Sequence, residues 1–285
     1  MIPSPQLSRN QLLGANFSFQ HLPMSEVAAI LARHGFTEME LWGIAPHLDL
    51  FHATDAKVES LRTLLADHGL SVRIFTPEQV VYPVNIASGD ADWRRASVER
   101  FRRAADIAAA LGARHLFLTA GRGYESAAPD QAWHHAAQSL AEIAEHAAGL
   151  GLRCLLEPLR RPESNILHSA ADLARMLEHL GREDMDAVLD LVAMAAAGDQ
   201  PAEYLRRFGP RLAHIHVVDG TPAGHLVWGD GELRLADWLG ELVGAGYGGT
   251  LSFEPFGDGR YALDPETALR RNLAGIAPFV KGLAA

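Results

Sequence analysis

Cysteine is almost absent: Cys154 is the single one among 285 residues. Neither an intrachain disulfide nor a CxxC zinc site can be built from it. Long apolar runs are also missing, since none approaches the roughly 18 residues that a membrane span needs. Residues 1–10 carry neither the basic start nor the apolar core of a signal peptide. Basic blocks are lacking as well. Lys and Arg number 25 against 35 Asp and Glu, for a formal net charge of −10. That balance argues against a dedicated nucleic-acid or anionic-membrane binder. No low-complexity stretch or linker breaks the chain, so one domain is expected over residues 1–285. What remains is 48% hydrophobic and 21% charged, the composition of a globular protein with a sizeable core, and a cytoplasmic, soluble protein is the default expectation.

One local pattern recurs along that chain. A helix-like segment ends in glycine, and a short apolar run follows. Gly35 precedes residues 39–42, Gly69 precedes 72–75, Gly112 precedes 115–118 and Gly151 precedes 154–156. Gly181 precedes 187–190, and Gly249 precedes 251–254. Glycine adopts the left-handed conformation cheaply, which makes it a helix C-cap signal. Residues 12–17 and 212–218 complete a set of eight predicted strands. Residues 93–110 and 131–148 are the clearest helices, rich in Ala with Glu and Arg interspersed. Alternating strands and helices imply a parallel sheet. Eight such units near the usual length of about 250 residues imply an α/β fold of the closed (β/α)8 TIM-barrel type. A doubly wound open sheet is the alternative, weakened because no GxGxxG follows the first strand. The irregular stretches 45–56, 77–91, 120–129, 160–167 and 220–233 each follow a predicted strand. In a barrel they lie on the face that carries active sites.

Ionisable residues close four of the apolar runs: Glu157, Asp190, His216 and Glu254. An unpaired charge at the end of a buried strand is costly. Strands 5 to 8 are neighbours in a closed barrel, so three carboxylates and an imidazole would converge there and repel one another unless a cation neutralised them. Oxygen-rich donors with one nitrogen suit Mn2+, Mg2+ or Co2+ better than a structural zinc site. Mn2+ is the first choice, with Zn2+ kept among the alternatives. His214 and His216 face the same side of one strand. His216 is nearer the strand end, and His214 is expected one layer lower. Asp219 is a candidate to orient His216, or else a turn aspartate. Trp42 and Tyr82 are candidates to stack on a bound ligand, or else core aromatics. His225, in the loop before Gly229-Asp230-Gly231, is a candidate substrate contact.

Together these residues resemble the xylose-isomerase-like superfamily of sugar isomerases and epimerases, and within it the ketose 3-epimerases with their fructoselysine-type members. The resemblance runs from Gly35 to about Phe256. Its motifs are Glu40-Leu41-Trp42-Gly43, Pro46-His47, Thr76-Pro77-Glu78, Tyr82-Pro83 with Asn85, Gly89-Asp90 and Arg94-Arg95. Glu157-Pro158-Leu159, Glu163-Ser164-Asn165, Asp190, the segment His214 to Asp219, His225 and Glu254 follow. The resemblance implies one divalent metal at Glu157, Asp190, His216 and Glu254. It makes Glu157 and Glu254 the carboxylates that flank the reacting carbon, Glu163 a substrate contact near the carbonyl end, and the assembly a homo-oligomer. Simple ketose epimerases carry a histidine where this chain has Ala193 and an arginine where it has Pro222. Those departures point to a modified ketose, such as one bearing an amino-acid group at C1.

A proton next to a carbonyl is too weakly acidic for an unaided carboxylate. A Lewis-acid metal stabilises the resulting enediolate, while one carboxylate removes the proton and a second returns it. The expectation is a metal-dependent epimerase acting on a small-molecule carbohydrate, without nucleic-acid or membrane partners. An aldose–ketose isomerase, a dehydratase and an inert sugar-binding relative stay open. An apurinic-site endonuclease relative would want more metal ligands and a basic surface.

Overall fold

The computed structural model describes residues 6–221 and 224–283. Its main sheet has eight parallel strands in the order β1 (Gly14–Ala15), β2 (Glu38–Gly43), β3 (Ser71–Pro77), β4 (His115–Thr119), β5 (Arg153–Glu157), β6 (Met185–Asp190), β7 (Leu212–Val217) and β10 (Thr250–Phe253). A parallel bridge between Leu12 and Leu251 joins the first strand to the last. The Leu13 amide donates to the Leu251 carbonyl at 2.8 Å across that seam. The sheet thus curls into the expected single-domain TIM barrel.

Helices cover the outside, and their ends follow local chemistry. Thr54 caps α2 (Asp55–Asp67) by accepting from the Lys57 amide, and Asp90 caps α3 (Ala91–Ala110) through the amides of Asp92 and Trp93. Ser169 caps α5 (Ala170–Leu180), which stops at Gly181 with φ +60°. Outward side chains such as Met39, Leu41, Cys154, Leu156 and Ile215 join the helices in one large core cluster. Inward ones form a second cluster inside the barrel, from Leu13, Ile74, Phe117, Leu155 and Val188. This alternation is the period of two of a strand whose faces meet different layers.

Two features depart from the simple alternation. Between β6 and β7 the chain forms two short helices, α6 (Leu191–Ala197) and α7 (Pro201–Phe208). The stretch after β7, expected to be irregular, contains an antiparallel hairpin of β8 (Asp219–Thr221) and β9 (Gly224–Leu226). The remaining helices are α1 (Met24–Arg33), α4 (Pro129–Gly149), α8 (Leu235–Gly244) and α9 (Pro265–Ile276). Among the described residues, no helix is long and apolar enough to cross a membrane.

Candidate active site

Each of the four strand-end residues owes its place to a neighbouring pair of strands. Glu157 ends β5, Asp190 ends β6, His216 lies next to last in β7, and Glu254 follows β10. Asp190 and His216 are register partners, and His216 is in turn the partner of Ser252. One ligand-type atom from each of Glu157, Asp190, His216 and Glu254 lies within 4.8 Å of the others. The His216 Nδ1 atom sits 2.9 Å from Glu157 and 3.2 Å from Glu254.

Asp190 has two tasks. Its Oδ1 atom accepts from the Ala193 amide at 2.5 Å and so caps α6. Its Oδ2 atom is buried and has no hydrogen-bond donor. The nearest cationic group is His225 Nε2 at 3.4 Å, too far for a good hydrogen bond. A buried carboxylate oxygen without a donor is expensive, and a cation at this spot would relieve it.

Electrostatics agree. Burial pushes the Glu157 carboxyl up to about 8, with the negative charges of Glu254 and Asp190 adding to it and His216 opposing. Burial also raises Glu254. For Asp190 burial works upward, but His225 and His216 more than offset it and hold the carboxyl below the usual range. Burial disfavours charge on His216, yet Glu254, Glu40 and Glu157 together lift it well above an ordinary histidine. His225 is lifted to about 9 by Asp190 and Glu254 against the effect of burial. Three acids and two imidazoles crowd together here, and a divalent cation would neutralise the carboxylates. The donor set therefore fits one divalent metal ion.

Glu40, which the strand-end pattern passes over, lies directly beneath. It is fully buried. Thr76 and Ser252 donate their hydroxyls to it at 2.5 Å each, His214 Nε2 lies at 3.1 Å, and His216 Nε2 lies at 3.2 Å. His216 thus presents Nδ1 to the acid cluster and Nε2 to Glu40. The signal for Glu40 was present in the sequence, as a lone charge within the apolar run 39–42. Asp219 does not orient His216. Its carboxylate accepts from the amides of Gly220, Gly229 and Leu233, so it organises the loop instead. His214 stays one layer below His216, bonded to Glu40 and Thr250.

Above the quartet opens a cavity of about 540 Å³. Trp42, Glu163, Ala193 and His225 line it. Tyr82 does not. Its hydroxyl accepts from the Ala45 amide, its ring packs edge-on against Phe51, and it faces a neighbouring recess that Glu163 also borders. Glu163 is ion-paired with Arg160. Pro222 lies outside the described residues. The cavity also has walls that strand patterns did not mark. Phe17, Trp42 and Phe256 form an aromatic trio with ring centroids 5.4–5.7 Å apart, and Phe117 stacks on His216 at 5.1 Å. The trio comes from three different strand ends, so only barrel closure assembles it.

Residues 28–278 match the family described as xylose isomerase-like TIM barrel. The fructoselysine 3-epimerase of Escherichia coli O157:H7 is 26% identical over 237 residues, covering 82% of this chain and 86% of that one. The L-ribulose 3-epimerase of Mesorhizobium japonicum is 30% identical over 227 residues, covering 77% and 74%. Among solved structures, the 3-keto-D-glucoside 4-epimerase of E. coli superimposes with a TM-score of 0.79 at 20% identity, covering 95% of this chain and all of that one. By its matched length, its barrel and these relatives, the chain belongs to the xylose isomerase-like TIM-barrel family of isomerases and epimerases.

Proposed function

We propose that the protein is a divalent-metal-dependent epimerase of a ketose or modified ketose, moving a proton at the carbon next to the carbonyl. The observation that carries this is the convergence of Glu157, Asp190, His216 and Glu254 within 4.8 Å at the floor of the cavity. Those four residues would hold the ion, Mn2+ by preference. When bound, the ion supplies a Lewis acid that makes the neighbouring C–H bond more acidic.

Glu157 and Glu254 do the proton work. They approach one space from β5 and β10, with β6 and β7 between them. One carboxylate takes the proton from the carbon, leaving an enediolate, and the other returns a proton. Return from the opposite face inverts the carbon, which is epimerisation. Asp190 and His216 orient the pair, and the partly buried Glu163 and His225 face the same cavity as substrate contacts. Trp42 and its aromatic neighbours exclude water. A cytoplasmic location and a homo-oligomeric assembly belong to the same proposal, the second by family resemblance.

Turnover in D2O should place deuterium on the carbon next to the carbonyl. Glu157→Gln and Glu254→Gln should each lose at least about 10²-fold in net epimerisation, the low end for general acid–base catalysis. Asp190→Ala and His216→Ala should lose bound metal, measured by elemental analysis. Full metal content in both alanine variants would sink the metal assignment, and turnover without solvent label would point to hydride transfer. Proton NMR of the product separates an epimer from an aldose.

A further inference from the structure

We infer that the mouth of the cavity holds a subsite for an apolar substituent on the ketose, so that the preferred substrate carries an alkyl or aryl group and not a charged one. This rests on the proposed ketose chemistry and adds the substrate class.

Polarity is divided unevenly across the cavity. Glu157, Asp190, His225 and Glu254 stand at one end. Toward the loop after β3 the wall becomes Trp42, Ile44, Pro77, Val80 and Val81. Val80 and Val81 are 52% and 72% exposed, unusual for large apolar side chains beside a charged floor. They also border the adjoining recess of about 380 Å³, where Trp93, itself 40% exposed, continues the strip. The two spaces meet at Gln79, Val80, Val81, Thr119, Leu159 and Glu163, which line both. Ligand pockets of about 300–1,000 Å³ suit drug-sized molecules, so a bare ketose leaves much of this space unfilled.

Four polar side chains on that side are already engaged. Glu78 accepts from the Trp42 indole and from the amides of Val80 and Val81. Gln79 accepts from the Thr119 amide and donates to the Phe117 carbonyl. Asn85 holds the backbone of Ala87 and Arg122. Arg122 binds Glu125 and the carbonyls of Arg161 and Pro162. An amino-acid group entering here would bury its charges against partners already taken, at a desolvation cost. An alkyl or aryl group would instead cover exposed apolar surface and gain by its burial.

The test compares D-fructose, its 1-O-benzyl and 6-O-benzyl ethers, and ε-fructosyl-lysine by solvent-deuterium exchange and by calorimetric binding to the metal-loaded protein. At least one benzyl ether should exceed both fructose and ε-fructosyl-lysine by about tenfold in kcat/KM and in affinity. Val81→Asp, at an exposed site that tolerates the change, should reduce that preference to within about threefold. Equal affinities across the panel, or ε-fructosyl-lysine as the best ligand, overturns the subsite. So does a Val81→Asp variant that keeps the preference, and if its oligomeric state also changes the apolar strip belongs to a second copy. Absence of deuterium exchange in every ketose defeats the proposed chemistry, while the calorimetric ranking still decides the subsite.

Discussion

At the scale of single residues, the site depends on a carboxylate that does not touch the substrate cavity. Glu40 stands 176 positions from His216 in sequence, yet its oxygens lie 3.2 and 3.3 Å from His216 Nε2. A histidine whose second nitrogen faces a fixed carboxylate is held in one ring orientation, and such partners typically tune metal affinity 10–100-fold. Glu40 is fixed by the hydroxyls of Thr76 and Ser252. Glu40→Gln should therefore weaken Mn2+ binding by about 10- to 100-fold, read by titration calorimetry on protein whose circular dichroism matches the parent. Unchanged affinity in a folded variant would remove Glu40 from the metal site's support. Signals of the same kind marked Glu157 and Glu40, a lone charge in an apolar run. The strand end distinguished the first, and only the cross-barrel contact reveals the second.

Among the elements, the β7–α8 connection places His225. Its hairpin, β8 with β9, sets His225 opposite Gly220, and Asp219 ties the ends of the segment by accepting three backbone amides. Gly231 is pressed against that carboxylate, since a Cβ there would lie 2.3 Å from Asp219 Oδ1. Asp219→Ala leaves three amides without their acceptor. It should cost about 3 kcal/mol at about 1 kcal/mol per lost bond, measured by urea denaturation. It should also lower kcat/KM, because His225 loses its support. A loss below about 0.5 kcal/mol would show that the loop holds itself together by other means. The hairpin was not legible in residues 220–233. Its strands are three residues each, too short for a period-two pattern to stand out against loop composition.

For the molecule as a whole, the end of the barrel opposite the site contains an acid-sensitive group. Burial pushes the His115 imidazole down to about 4 from an ordinary 6.5, and its Nδ1 atom has no partner. The unfolded chain then takes up this proton first as pH falls below 6.5. The stability due to neutral His115 is present above that value and is lost on the way down to about 4, amounting to about 3 kcal/mol for the full shift. His216 and His225, raised in the folded state, act with the opposite sign, so the comparison must be made within a variant pair. His115→Gln should lose about 2 kcal/mol less stability than the parent between pH 7 and pH 4.5, by urea denaturation at each pH. Equal losses would show that His115 is not the sensitive group. The sequence by itself determined the eight strand–helix units and marked the four ionisable residues at strand ends. Glycine caps, apolar runs and a charge at the end of a run are local physics, expressed within a few residues. Tertiary structure alone decided that Glu40 holds His216, that Asp219 serves the loop, that Tyr82 turns to Ala45 and Phe51, and that the cavity's far wall has its polar groups satisfied. Each of these follows from strand register and barrel closure, which bring together residues tens to hundreds of positions apart, and no local pattern encodes those contacts.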